Sequence, residues 1–117
     1  MDTARYDSLV LCLLNALNNM VCKVLLYGPA VGKASGQQTE TSIAVLTPYK
    51  ISGDQEARLS VAVFEWNQNH RETVSVIDID QTSFTEKQAE IPFFREIADT
   101  GVVLWPQNNN STSGTVA

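Results

Sequence analysis

The stretch that decides the fold of this chain is VCKVLLYGPAVGKASGQQTETSIAVL, residues 21–46. Its first part, Val21 to Tyr27, is short, apolar and β-branched, and a Gly-Pro pair stops it, which predicts a buried strand. Its last part, Ser42 to Leu46, is a second apolar run and predicts a second strand. The turn-rich loop between them, residues 28–41, holds three glycines and leaves no helix long enough for a crossover. At least one pair of strands is therefore expected to be antiparallel, and the sheet mixed.

Helices are predicted on both sides of this strand pair. Residues 6–17 place apolar side chains at i, i+3, i+4 and i+7 spacing, which predicts a helix that ends at Asn18-Asn19. Downstream, Ser52 and Gln55 form a capping-box pattern just before apolar residues at helical spacing. A second helix is therefore expected from about residue 54 to about residue 69.

Three further elements are predicted towards the end of the chain. Val74 to Ile79 is β-branched and nearly continuous, which predicts a central strand with both faces covered. Residues 85–99 favour a helix, with Pro92 in the first turn of its second part and Gly101 as the left-handed residue after its end. Val102 to Trp105 predicts a last short strand. This alternation indicates an α/β (α+β) fold, a mixed sheet of about four strands with helices packed against it.

Composition describes an ordinary globular domain. The chain has 117 residues, of which 44% are hydrophobic and 18% are charged, so one domain over residues 1–105 is expected. Residues 106–117 are polar and have nothing to bury, which predicts a disordered tail. Eight Lys and Arg against 13 Asp and Glu give a net charge of -5, and the cations are scattered. The charge balance thus argues against a nucleic-acid partner.

The N-terminus and the cysteines bear on the compartment. The first residues are not a cationic leader, and the apolar run from Leu9 to Leu14 is only six residues long, so neither a signal peptide nor a membrane span is expected. Cys12 and Cys22 lack the spacing of a zinc or redox motif and are predicted to be two buried free thiols in a reducing compartment. A cytoplasmic location is the resulting expectation.

The glycine loop shares ingredients with a phosphate-binding P-loop but lacks its spacing. A P-loop has four residues between its glycines and a Ser or Thr directly after its Lys, because that hydroxyl holds the magnesium ion. Here three residues separate Gly28 from Gly32, and Ala34 follows Lys33. A strand, not a helix, is predicted next, so the P-loop interpretation is set aside.

A different family is closer. The run Leu25-Leu26-Tyr27-Gly28, the glycine loop and the run Thr41-Ser42-Ile43-Ala44-Val45-Leu46 resemble the core of the small nucleotidyltransferases of the polymerase β superfamily. Residues 91–105 are similar to the closing helix and strand of that family, so the resemblance spans residues 4–105. It implies a nucleotidyltransferase-like fold. In the family, carboxylates on neighbouring strands hold two divalent metals that activate the attacking oxygen and clamp the triphosphate.

The residues that carry this chemistry in the family are replaced here. Ser42 and Ala44 occupy the positions of its paired aspartates, and Ser75 occupies the third. Pro29 stands where the family has a Ser that contacts phosphate, and it has neither a hydroxyl nor an N–H. The resemblance therefore implies a catalytically degenerate, pseudoenzyme-like domain that acts as a binding or regulatory, antitoxin-like module. It also implies a helical partner of the HEPN type, or self-association.

Two alternatives stay open from the sequence. A nucleotide is expected, if it binds, at Gly28, Gly32 and Lys33, and an active nucleotidyltransferase would hold Mg²⁺ and a nucleoside triphosphate through the displaced acids Glu40, Asp78 and Asp80. Otherwise the chain is a purely structural interaction module, whose pocket binds neither nucleotide nor metal.

Overall fold

The computed structural model describes residues 4–28 and 41–106, and these form four helices after a short turn and four strands. A 3-10 turn, Ala4–Tyr6, leads into the first helix. The elements then follow in this order: α1 Asp7–Ala16, β1 Lys23–Tyr27, β2 Thr41–Thr47, α2 Gly53–His70, β3 Val74–Asp80, α3 Gln81–Glu86, α4 Pro92–Thr100 and β4 Val102–Trp105. The predicted tail lies outside the described residues from residue 107 on.

The four strands form one mixed sheet with the order β3-β2-β1-β4. β1 is antiparallel to both β2 and β4, whereas β2 and β3 run parallel because α2 carries the chain back between them. The predicted fold class, an α/β fold with a mixed sheet of about four strands and helices against it, is therefore confirmed.

Each face of the sheet is covered by a different pair of helices. Alternate residues of a strand point to opposite faces, so β2 sends Ile43 and Val45 to one side and Ala44 and Leu46 to the other. The first side packs with residues of α1 and α2, including Leu13. The second side packs with residues of α3 and α4, which include Phe84 and Ile97. The core is thus two apolar layers that meet at β2.

The predicted ends of the first two helices are confirmed. Asn18 and Asn19 follow α1 with φ of 53° and 64°, a left-handed conformation that Asn tolerates better than most residues. At the start of α2 the predicted capping box is formed. The Ser52 hydroxyl accepts from the Gln55 N–H at 3.2 Å, and the Gln55 side chain accepts from the Ser52 N–H at 2.8 Å.

The prediction of β3 as a central strand is wrong. β3 is an edge strand, because α2 returns the chain to the outer side of β2 while β4 pairs with β1 at the other edge. Only Val74 and Ile79 are buried in it, and Ser75 is exposed. The β-branched run thus predicted a strand but not its position in the sheet. Burial of one face is enough to favour β-branched residues, so an edge strand can carry the same pattern as a central one.

The prediction for residues 85–99 is only partly right. Two helices, α3 and α4, occupy this region, and Pro92 is the first residue of the second, as expected. Gly101 is not left-handed, since its φ is -66°. It is required for another reason, because a Cβ there would lie closer to the Ile97 carbonyl oxygen than real Cβ atoms come.

The cysteines are free, as predicted, but they are not both buried. Cys22 is exposed before β1, and Cys12 is half-buried with its thiol directed at the Ala62 carbonyl oxygen at 3.6 Å. Burial, and secondarily the charge of Glu65, raises the pKa of the Cys12 thiol, so it stays protonated at neutral pH. Within the described residues, the helices are all too short or too polar to cross a bilayer.

The contact at Gly101 can be tested with a matched glycine. We expect Gly101→Ala to lower the free energy of unfolding by about 2 kcal/mol or more, because the new methyl group forces the end of α4 away from β4. In Gly53→Ala the added methyl group meets no atom within 4 Å. That variant should be as stable as the parent chain or more stable by up to about 1 kcal/mol. Urea denaturation measures both, and equal losses would contradict the steric explanation.

Candidate functional site

The family-derived site positions that the structure describes meet at one end of the sheet. Gly28 directly follows β1, Ser42 is the second residue of β2, and Ser75 is the second residue of β3. The strand register pairs Tyr27 with Ser42 and Ser42 with Ser75, so three adjacent strands bring these positions together. The positions selected from the sequence therefore form one contiguous patch. Of the other candidates, Gly32, Lys33 and Glu40 lie outside the described residues.

Gly28 has a backbone conformation that favours glycine at this position. Its φ is +81°, a left-handed conformation that favours glycine. A Cβ at this position would lie 3.6 Å from the Ser42 hydroxyl oxygen, an ordinary contact. The backbone of Gly28 thus passes beside Ser42, and conformation rather than lack of space requires the glycine.

The face of the sheet that carries Ser42 is the α4 face. Alternation along β2 places Ala44 on the same side, and the register with β3 adds Ser75. The ring of Tyr27 lies next to Ser42 in the register and meets the ring of Phe93 from α4 edge to face, with 5.5 Å between the ring centroids. Aromatic side chains therefore border the patch.

Ala44 lies at the bottom of the patch and is completely buried. It pairs with Leu25 on one side and with Ile77 on the other, and it belongs to the apolar cluster that includes Ile97. Among the described residues of β1, β2 and β3 on this face, none is Asp or Glu. Nor do the described residues contain a group of three His, Cys, Asp or Glu side chains that could hold a metal ion.

Asp78 and Asp80 lie on the other side of β3. The register pairs them with Val45 and Thr47, so by alternation their side chains leave the strand opposite to that of Ser75. Asp80 caps α3 and accepts a hydrogen bond from the Ser83 N–H at 3.0 Å. This hydrogen bond holds the pKa of the Asp80 carboxyl below its ordinary value. The structure thus brings the two acids near each other but not to the face of Ser42.

A groove of about 860 Å³ separates α2 from the edge strand β3. Its lining includes the apolar side chains of Val63 and Val76 and the two carboxylates of Glu56 and Asp78. Phe64 borders it and is 62% exposed. Asp78 therefore lies at a surface groove with one other acid.

The outward face of α2 is a feature that was not expected from the sequence. Val61 is 56% exposed and Phe64 is 62% exposed, although both are large apolar residues. The sequence does contain a pattern that could have predicted this face. Ala57, Val61 and Phe64 lie at i, i+4 and i+7, which forms an apolar stripe separate from the buried Leu59. A helix with two apolar stripes has a second face to cover.

The likeness of this chain to known proteins is structural. The sequence matches no family model and no curated protein. A crystal structure of one mutant of the toxin-antitoxin MntA-HpeT has a TM-score of 0.58 and 14% sequence identity, covering 96% of this chain and 79% of that chain. A second mutant of the same toxin-antitoxin gives a TM-score of 0.54 at 14% identity, covering 91% and 76%. This likeness shows the fold, which is nucleotidyltransferase-like, as the sequence resemblance implied.

Proposed function

We propose that this chain acts by binding a protein partner, as an antitoxin-like module on a nucleotidyltransferase-like fold that no longer carries out nucleotidyl transfer. The observation that carries this proposal is Ala44, which stands where the family places a metal-binding carboxylate and is completely buried among apolar side chains. A site of this kind has no ligand for a metal at its centre.

Nucleotidyl transfer requires a metal-binding carboxylate at the position that Ala44 occupies. Two divalent ions must be held close together, and carboxylate oxygens are the ligands that hold them. Ser42 offers one neutral hydroxyl and Ser75 another, and Ala44 offers none. An apolar surrounding also disfavours a charged ion, because nothing there replaces its water shell. The patch is therefore suited to neutral contacts rather than to metal-assisted catalysis.

The partner role draws on the structural neighbours. Both are chains of a toxin-antitoxin, and this chain shares their fold over most of its length. The groove between α2 and β3, whose lining includes apolar side chains and the carboxylates of Glu56 and Asp78, is a surface that an apolar segment with basic side chains would complement. A helical partner of the HEPN type is the specific form of this proposal.

A first prediction concerns the carboxylate itself. We expect Ala44→Asp to lower the free energy of unfolding by about 3 kcal/mol or more, because it places an unpaired charge in an apolar cluster. Ser42→Asp, the neighbouring family position, is half-buried at the end of the sheet and should cost no more than about 1 kcal/mol. Urea denaturation compares the two variants. A small loss in both would show that the site accepts carboxylates and would favour the enzyme.

A second prediction concerns nucleotide and metal. In an amide NMR titration with ATP, we expect magnesium to make no difference to the shifts of Gly28, Ser42 and Ser75. Saturable shifts that need magnesium would contradict the proposal and favour the metal-dependent nucleotidyltransferase with Glu40, Asp78 and Asp80. Shifts without magnesium would identify a nucleotide-binding regulator at Gly28, Gly32 and Lys33, still without catalytic metals.

A third prediction concerns the antitoxin-like role. The products of the genes adjacent to that of this chain are expressed alone and together with it, and growth of the host is measured. We expect one product to arrest growth alone and to be neutralised by co-expression with this chain. Glu40→Gln, which changes a displaced acid that is not among the described residues of the proposed partner groove, should neutralise as well as the parent chain, since no metal is needed. The absence of any toxic neighbour would exclude this role, and loss of neutralisation in Glu40→Gln alone would favour the enzyme.

A further inference from the structure

The helix α2 has two apolar stripes on opposite sides. The inward stripe includes Leu59 and Trp66, both buried against the sheet and α1. The outward stripe consists of Ala57, Val61 and Phe64, and within the described chain it remains exposed to solvent. Residues at i, i+4 and i+7 lie along one line of a helix, so this stripe is a continuous ridge about two turns long.

Two opposite charges flank this ridge on one side. Arg58 and Glu65 line the groove of about 460 Å³ between α1 and α2, together with Val61, Ala62 and residues of α1 such as Cys12. They are seven residues apart, which places them about 10 Å apart along the helix on the same flank. Within the part of the chain that the structure describes, neither forms an ion pair.

We propose that two copies of this chain associate through the outward face of α2, with the two α2 helices antiparallel about a two-fold axis near Val61. In this arrangement Arg58 of each copy meets Glu65 of the other, because the axis lies midway between the two positions. In a parallel two-fold arrangement the flank that carries Arg58 and Glu65 would instead face the opposite flank of the partner helix, and these pairs would not form. The pairing of opposite charges therefore favours a second copy of this chain in the antiparallel orientation.

The shape of the surface fits this occupant. With the axis near Val61, Phe64 of one copy lies against the small side chain of Ala57 of the other, so the large residue meets a place with room for it. The two α2 helices then face each other directly, and the side-chain ridge of one packs into the grooves between side-chain rows of the other. The two copies of α1 and α2 together form a four-helix layer outside both sheets.

The contributions of the two kinds of contact differ. Burial of the exposed Val61 and Phe64 supplies the favourable free energy, because it removes apolar surface from water. The two Arg58–Glu65 pairs add little by themselves at a solvent-exposed rim, but they fix the register and favour the antiparallel orientation. Each copy carries a net charge of -5, so the two copies repel each other overall. The two Arg58 and two Glu65 side chains at the interface have no net charge together, so they add nothing to this repulsion.

The experiment is a charge exchange followed by sedimentation velocity. The protein is kept reduced, because Cys22 is exposed and could cross-link copies, and it is measured over a dilution series. We expect the parent chain to form dimers. Arg58→Glu and Glu65→Arg should each weaken the dimer by about tenfold or more, because each change places like charges together twice. An equal mixture of the two variants, and the double variant, should both recover the dimer.

The matched control lies on the other flank of the same helix. Glu56→Arg changes the net charge as much as Glu65→Arg does, but Glu56 faces the groove towards β3, so the dimer should remain. Circular dichroism confirms that each variant is folded. A monomeric parent chain at every concentration, or single variants that dimerise like the parent chain, would overturn the proposal. So would a failure of the mixture to recover the dimer. These outcomes are independent of the proposed partner-binding function, which the growth and titration experiments test separately.

Discussion

The rest of the structure depends on the burial of β2 on both faces. Ile43, Ala44 and Val45 are completely buried, and β2 is hydrogen-bonded to β1 on one side and to β3 on the other. Of the four described strands, β2 alone has long neighbours on both sides, because β1 has the short β4 as its other neighbour and β3 is an edge. Alternate side chains of β2 thus anchor both helix layers, and those of the neighbouring β1 do the same.

The burial of β2 on both faces determines which side chains the candidate site can offer. Family members with active metals need two charged residues on one face of the strand that corresponds to β2, and that face must be open to water and substrate. Here Leu46 and Ala44 extend the apolar cluster along the face, and α4 covers it with Ile97. Within β2 only Ser42, near the start of the strand, keeps a polar side chain on this face. Packing and metal binding compete for the position of Ala44, and we propose that packing has taken it in this chain.

The features that could be predicted from the sequence are local, and those that could not depend on neighbours. The capping box at Ser52 and Gln55 and the proline start of α4 depend on residues within one turn, and both are as expected. The edge position of β3 depends on where α2 returns the chain and which strand takes the other side of β1, and no run of residues encodes that. The sequence predicted that position 101 needs glycine, but for its conformation. The actual reason is the lack of space beside the Ile97 carbonyl oxygen, a contact that arises only when the end of α4 is folded.

The family resemblance pointed to Gly28, Ser42 and Ser75, and the register of three neighbouring strands brings these positions together. Their role as a functional site stays a prediction. The displaced acids could not be assigned in the same way, since alternation sends Asp78 and Asp80 to the opposite face and Asp80 already caps a helix. The surfaces that we propose for partners lie elsewhere, on α2. In α2, Leu59 and Trp66 face the core, whereas Val61 and Phe64 face solvent. Substitutions on the outer face can therefore adapt the helix to a partner without disturbing the packing of the core around β2.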